Sequence, residues 1–150
     1  IDTVGLRLID TNGFAHSAVT AAWKLHETLK EKVDYITVVL STSVASILDA
    51  SRGGPWWNSA YAIAALWESG DPTNLQSASK FLSVTQLEFE EMPIGAGKVR
   101  VKTASGVHEE YVELAPEEIT WRVAKWGKAG IGSAEDSYRR CSSFPLAALL

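Results

Sequence analysis

Cysteine is almost absent: Cys141 is the one thiol in 150 residues. A single thiol cannot close an internal disulfide, so a stapled secreted scaffold is excluded; a reducing compartment such as the cytoplasm fits, and so does a cysteine-poor exported domain. No apolar run approaches the roughly 18 residues that would span a bilayer, and no signal-peptide pattern is visible. An excess of basic charge is missing too. Fourteen Lys and Arg stand against eighteen Asp and Glu, a net charge of −4. Without a basic field, general affinity for nucleic acid or an anionic membrane is not expected. Internal repeats and low-complexity linkers are also lacking.

What is there is globular. Hydrophobic residues make up 46% and charged residues 21%. A chain of this length and composition buries a real core in one domain. Alternation over Val4–Ile9 predicts a strand, followed by a turn at Asp10-Thr11-Asn12-Gly13. Ala15, Ala18, Ala22, Leu25 and Leu29 then recur at helical spacing, widened by Val19 and Trp23. Lys24, Glu27, Lys30 and Glu31 fall on the other face, which predicts a helix over 15–32. Tyr35-Ile36-Thr37-Val38-Val39-Leu40 reads as a buried strand. Residues 43–50 can form a short helix, ended by Ser51-Arg52-Gly53-Gly54-Pro55. A second long helix over 60–68 is apolar nearly all round and therefore buried, with Gly70 closing it. Asp71-Pro72 opens a third, striped by Leu75, Ala78 and Leu82.

From Val84 the period changes to two. Leu87 and Phe89 oppose Glu88 and Glu90, and Val99 and Val101 oppose Lys98, Arg100 and Lys102. After a turn at Ala104-Ser105-Gly106 comes a strand ending near Leu114, then a last one from Ile119 to about Trp126. The expectation is an α+β fold: an N-terminal strand–helix–strand and further helices packed on a C-terminal antiparallel β-meander of about four strands. On its wet face, Glu88 and Glu90 are expected to sit across the first hairpin from the basic row and pair with it. The whole chain reads as one domain, with 127–150 a connector and apolar docking tail.

Few motifs carry chemistry. Leu8-Ile9-Asp10-Thr11-Asn12-Gly13-Phe14-Ala15-His16 is a hydrophobic strand ending in a carboxylate, then a polar turn and a helix. It resembles the opening of metal-dependent nuclease domains of the PIN and 5′-nuclease type. That resemblance covers this short stretch alone, and it implies that Asp10 helps hold a divalent metal that activates water. Such a site needs further carboxylates, of which Asp49 is the nearest. The competing reading makes Asp10 and Asn12 a turn and helix cap. Leu40-Ser41-Thr42-Ser43 places serines at a strand end, but without a Gly-x-Ser-x-Gly elbow, so an N-cap role is expected. The order of Gly127-Lys128-Ala129-Gly130-Ile131-Gly132-Ser133 is not that of a phosphate-binding loop, and it reads as a connector. His16, His26 and His108 have no metal-ligand spacing, and His26 borders an apolar stripe, where a half-buried structural histidine is usual. No cofactor is implied.

Six tryptophans are many for this length. Trp56 and Trp57 are adjacent in a loop, where both rarely point inward, so one is a candidate for stacking on a ligand or partner; the competing reading has both lid the core beside the helix over 60–68. Trp23, Trp67 and Trp121 are core by pattern. A ligand pocket under the helices would lie near Phe89, Tyr111 and Trp121. The chain runs from Ile1-Asp2-Thr3 to an apolar end carrying Phe144, Leu146, Leu149 and Leu150. Such an end is expected to dock on its own domain or on a partner, as in a domain excised from a larger protein. The sequence therefore points to a non-catalytic binding or assembly module, contacting a protein partner or a second copy through the tail. The alternative is a metal-dependent, nuclease-like hydrolase using Asp10.

Overall fold

The computed structural model describes residues 13–48, 59–72, 74 and 79–113. All of them belong to one compact unit, Ile9–Leu114. After a 3-10 turn at Gly13–Ala15 the elements are α1 (His16–Thr28), β1 (Val33–Ser41), α2 (Ser59–Ser69), α3 (Ser79–Leu82), β2 (Thr85–Glu90), β3 (Gly97–Thr103) and β4 (Gly106–Val112). The α+β expectation holds. The first and last expected strands, Val4–Ile9 and the segment from Ile119, lie outside the described residues, as does the connector and tail over 127–150.

The sheet departs from a meander. Its order is β2-β1-β3-β4, with β1 parallel to β2 and antiparallel to β3, so it is mixed. Strands β2 and β3 are not hairpin neighbours, because β1 lies between them. The physical reason is in β1 itself. Ile36 through Ser41 are buried on both faces of the strand. An edge position would leave such a strand with one flank open to water, whereas polar β2 and β4 tolerate the edges. The chain from β1 to β2 runs through α2 and α3, as a parallel pair requires a crossover.

Register sorts the side chains into two faces. Leu87, Val38, Val99 and Glu110 form one cross-sheet row, and Phe89, Leu40, Gly97 and Val112 the next. This is the helix side: α1 lies on β3 and β4, and α2 touches α1, α3 and β2. Ile36, Val38, Leu40, Val99 and Val101 are fully buried there, with Val19, Ile63 and Leu66 from the helices. Gly97 permits the close approach of α1. A Cβ at Gly97 would meet the backbone nitrogen of Ala18 and lie 2.7 Å from its Cα. Ser17 of α1 donates its hydroxyl to the Gly95 carbonyl just beside it.

The opposite face carries the charges. Arg100 pairs with Glu109 of β4 at 2.7 Å, with Glu88 of β2 at 3.6 Å and also with Glu90, while Lys98 reaches Glu90 at 2.7 Å. The expected acid–base pairing is present, but it bridges two strand spacings, roughly 9–10 Å, across β1. Only long side chains can do this, and the intervening β1 residues, Thr37 and Val39, are short. Hydrogen bonds from Lys98 and then Arg100 hold the Glu90 carboxyl below its ordinary value of 4.5. A carboxylate with a depressed folded-state pKa contributes stability above that ordinary value and loses it as pH falls through the lower one. Arg100→Gln is therefore expected to flatten the acid limb of a stability–pH curve below about pH 4.5, read by urea unfolding. The effect at neutral pH is small because the pairs are solvent-screened.

Helix α1 ends earlier than its periodicity predicts. Thr28 turns its hydroxyl back to the Leu25 carbonyl at 3.1 Å, and Leu29 is extended with its N–H still bonded to Leu25. Lys30, Glu31 and Lys32 consequently form a loop feeding β1. The expected helix over 43–50 is a 3-10 turn at Thr42–Val44 in its described part. Helix α2 matches its expectation and closes on Gly70, whose φ of +74° is the left-handed value an L side chain resists.

Candidate functional site

The described residues line a half-open cavity of about 390 Å³ between the C-terminal ends of α1 and α2, α3 and the start of β1. Its place follows from local folding. Early termination of α1 puts His26 and Leu29 on one wall and Glu31 and Lys32 at the mouth. Trp67 occupies the last full turn of α2, which Ser69 fastens by donating to the Ala65 carbonyl at 2.9 Å. On α3, Phe81 packs against Ala64 and Ala65 of α2, and its carbonyl accepts from Thr85 at 2.6 Å and from the Val84 N–H at 3.1 Å. Val84 in turn accepts from the Ile36 N–H at 2.9 Å, which ties the cavity floor to the sheet.

The walls are Leu29, Val33, Trp67, Phe81 and Val84, with His26, Glu31, Lys32 and Lys80 as the polar lining. The His26 and Trp67 rings meet edge to face, 5.5 Å between centroids at 87°. Burial, and then the neighbouring Lys30 charge, lower the His26 pKa from its ordinary 6.5, so the imidazole is neutral at pH 7. Lys80 places its ammonium 5.3 Å from the centre of the Phe81 ring. Glu31, Lys32 and Lys80 are exposed. A largely apolar, ring-lined hollow with a few polar groups at its mouth is the usual form of a small-ligand site.

Glu31 belongs to a second cluster. The Ser105 hydroxyl donates to Glu31 at 2.7 Å, and His108 Nε2 lies 3.1 Å from the hydroxyls of both Ser105 and Thr103. The bond from Ser105 is the main reason the Glu31 carboxyl is held below its ordinary range. A serine, a histidine and an acid converge here, but with the wrong roles for acyl transfer. Ser105 spends its one proton on the carboxylate, so it accepts from its other neighbours and is not activated by His108. The cluster pins the β3–β4 turn to the loop before β1.

Most sequence candidates are not among the described residues. Asp10, Asp49, Trp56, Trp57, the 127–133 glycine segment and Phe144, Leu146, Leu149 and Leu150 fall outside the described residues. Among the described residues, no group of three His, Cys, Asp or Glu could hold a metal ion. None of the described helices is long and apolar enough to cross a membrane. Ser41 has the expected capping role: its hydroxyl donates to the Met92 carbonyl at 2.7 Å and accepts from the Ser43 N–H at 3.3 Å. His16 is buried in the first turn of α1, and the three histidines stay apart. Tyr111 belongs to the charged face, 42% exposed, and so does not join Phe89 in a pocket.

Trp67 is the main departure. Its place in the helical stripe suggested core, but it is half-buried and forms a cavity wall. Its position three residues before the closing Gly70 was the available signal, since a helix end is where a core stripe reaches the surface. Phe81 and Lys80 carried no such signal. Compared with known proteins, the chain matches no family model and no curated protein.

Proposed function

We propose that this chain is a non-catalytic binding module whose described unit accommodates a small, partly apolar ligand between α1, α2 and α3. The observation that carries the reading is the 390 Å³ cavity walled by Trp67 and Phe81. Its volume lies within the range of about 300–1,000 Å³ typical of ligand pockets. Among the described residues its lining offers a neutral imidazole and exposed lysines but no serine, threonine or cysteine nucleophile, which favours holding a ligand over transforming it.

The reading is tested by a fragment screen on the ¹⁵N-labelled chain, with anionic, neutral and cationic aromatic fragments. Expected hits shift the amides of His26, Leu29 and Phe81 and the Trp67 indole N–H. A screen in which no fragment of any charge moves these signals removes the reading.

The same proposal assigns protein contacts to Trp56, Trp57 and the apolar segment with Phe144, Leu146, Leu149 and Leu150, joining a partner protein or a second copy. Apolar side chains of this kind associate to leave water. Sedimentation velocity is expected to find an assembly that dissociates when residues 144–150 are deleted. A monomer at every concentration, unchanged by the deletion, contradicts the assembly part.

A further inference from the structure

We propose that the α1–α2–α3 cavity selects small aromatic carboxylates, with the ring against Trp67 and Phe81 and the carboxylate toward Lys32 and Lys80. This inference rests on the binding-module reading and adds the ligand class.

Two observations point to a ring. Trp67 and Phe81 supply aromatic walls, and His26 meets Trp67 edge to face. Flat partners gain offset or edge contacts on such walls beyond simple area burial. The cavity is also near the small end of the ligand-pocket range, which suits a single ring with a short arm better than a long chain.

The charge at the mouth points to an anion. Lys32 and Lys80 both line it, and neither forms an ion pair with another described residue. The one carboxylate there, Glu31, already accepts from the Ser105 hydroxyl and backbone N–H on the hairpin turn. Two lysines against one glutamate leave a single excess positive charge, and His26 adds none at neutral pH. A cationic ligand would meet that excess unfavourably. The apolar depth excludes a bare inorganic anion, which would leave the rings in contact with water. Both lysine arms are flexible and solvent-exposed, so they add selectivity and leave most of the affinity to the rings.

The test is a titration of the full ¹⁵N-labelled chain with 3-phenylpropionate, its neutral analogue 3-phenylpropionamide, and 3-phenylpropylamine. The carboxylate is expected to shift Trp67 Nε1–H, His26 and Phe81, and to bind about 10-fold more tightly than the amide, with the amine weakest. Lys32→Gln and Lys80→Gln, both at exposed positions, should each weaken the carboxylate about 3-fold and leave the amide unchanged. Equal binding of carboxylate and amide in the cavity overturns the anion assignment while the binding-module reading stands. Carboxylate shifts confined to other residues, or lysine variants with undiminished carboxylate affinity, also overturn it. Failure of all three probes to reach the cavity removes both.

Discussion

Gly97→Ala is expected to destabilise the domain by about 3 kcal/mol, at the upper end of the range for overpacking a filled core. Strand β3 is an interior strand, hydrogen-bonded to β1 and β4, so Gly97 cannot retreat from α1 without breaking ladder bonds. On the other side, the new methyl meets the main chain of Ala18, at 2.7 Å from its Cα, and main chain cannot rotate away as a side chain can. Relief requires α1 to lift from β3 and β4, which strains the Ser17–Gly95 bond and the Lys24–Glu110 pair at 3.5 Å. Thermal unfolding should drop by on the order of 15 °C for a unit of this size. The double variant Gly97→Ala, Ala18→Gly should not recover, because the collision is with backbone atoms. Recovery would mean that α1 sits farther from the sheet.

Ile36→Ala carries the other large effect, about 3–4 kcal/mol by urea unfolding. Ile36 is fully buried on β1, paired with Thr85 of β2 on one side and Val101 of β3 on the other. Its loss removes transfer free energy and leaves a void at the strand junction, where backbone on both sides blocks collapse. Ile47→Ala is the matched control. Ile47 is 49% exposed, so the same change there should alter stability by less than about 1 kcal/mol. Similar losses at both sites would contradict the central placement of β1.

These two residues mark what the sequence could and could not convey. Alternation assigned faces well: Val99 and Val101 inward, Lys98 and Arg100 outward. It could not assign neighbours, because Glu88 and Glu90 satisfy the basic row equally from an adjacent strand or from across a third. The clue to the true order was that 36–40 is apolar at nearly every position, a pattern that demands a central strand. The β1–β2 crossover was hidden because the chain between them gives helical signals without saying which strands they join. Helix α2 was legible from its run of alanines and its closing glycine. The end of α1 was not, since Lys30, Glu31 and Lys32 fit a helix as well as a loop, and the demand to start β1 at Val33 decided the matter.

The candidate site was less legible than the fold, for a similar reason. Its walls come from His26, Trp67 and Phe81, on three helices, and its mouth is shaped by a bond between Glu31 and Ser105, 74 positions apart. No local spacing encodes such a convergence. His26 is the half-buried histidine that its place on the margin of the stripe predicts, but its role as a wall depends on where α2 ends.

Trp67 lines the cavity proposed to accept a ligand. That proposal is tested most directly by ¹⁹F NMR of the chain labelled with 5-fluorotryptophan. Six signals are expected from the six tryptophans, with the Trp67 signal assigned by its loss in Trp67→Phe. On adding 3-phenylpropionate or 3-phenylpropionamide, the account predicts a saturable shift of the Trp67 signal larger than that of any other. A Trp67 signal that stays fixed while both compounds are raised to millimolar concentration would contradict it.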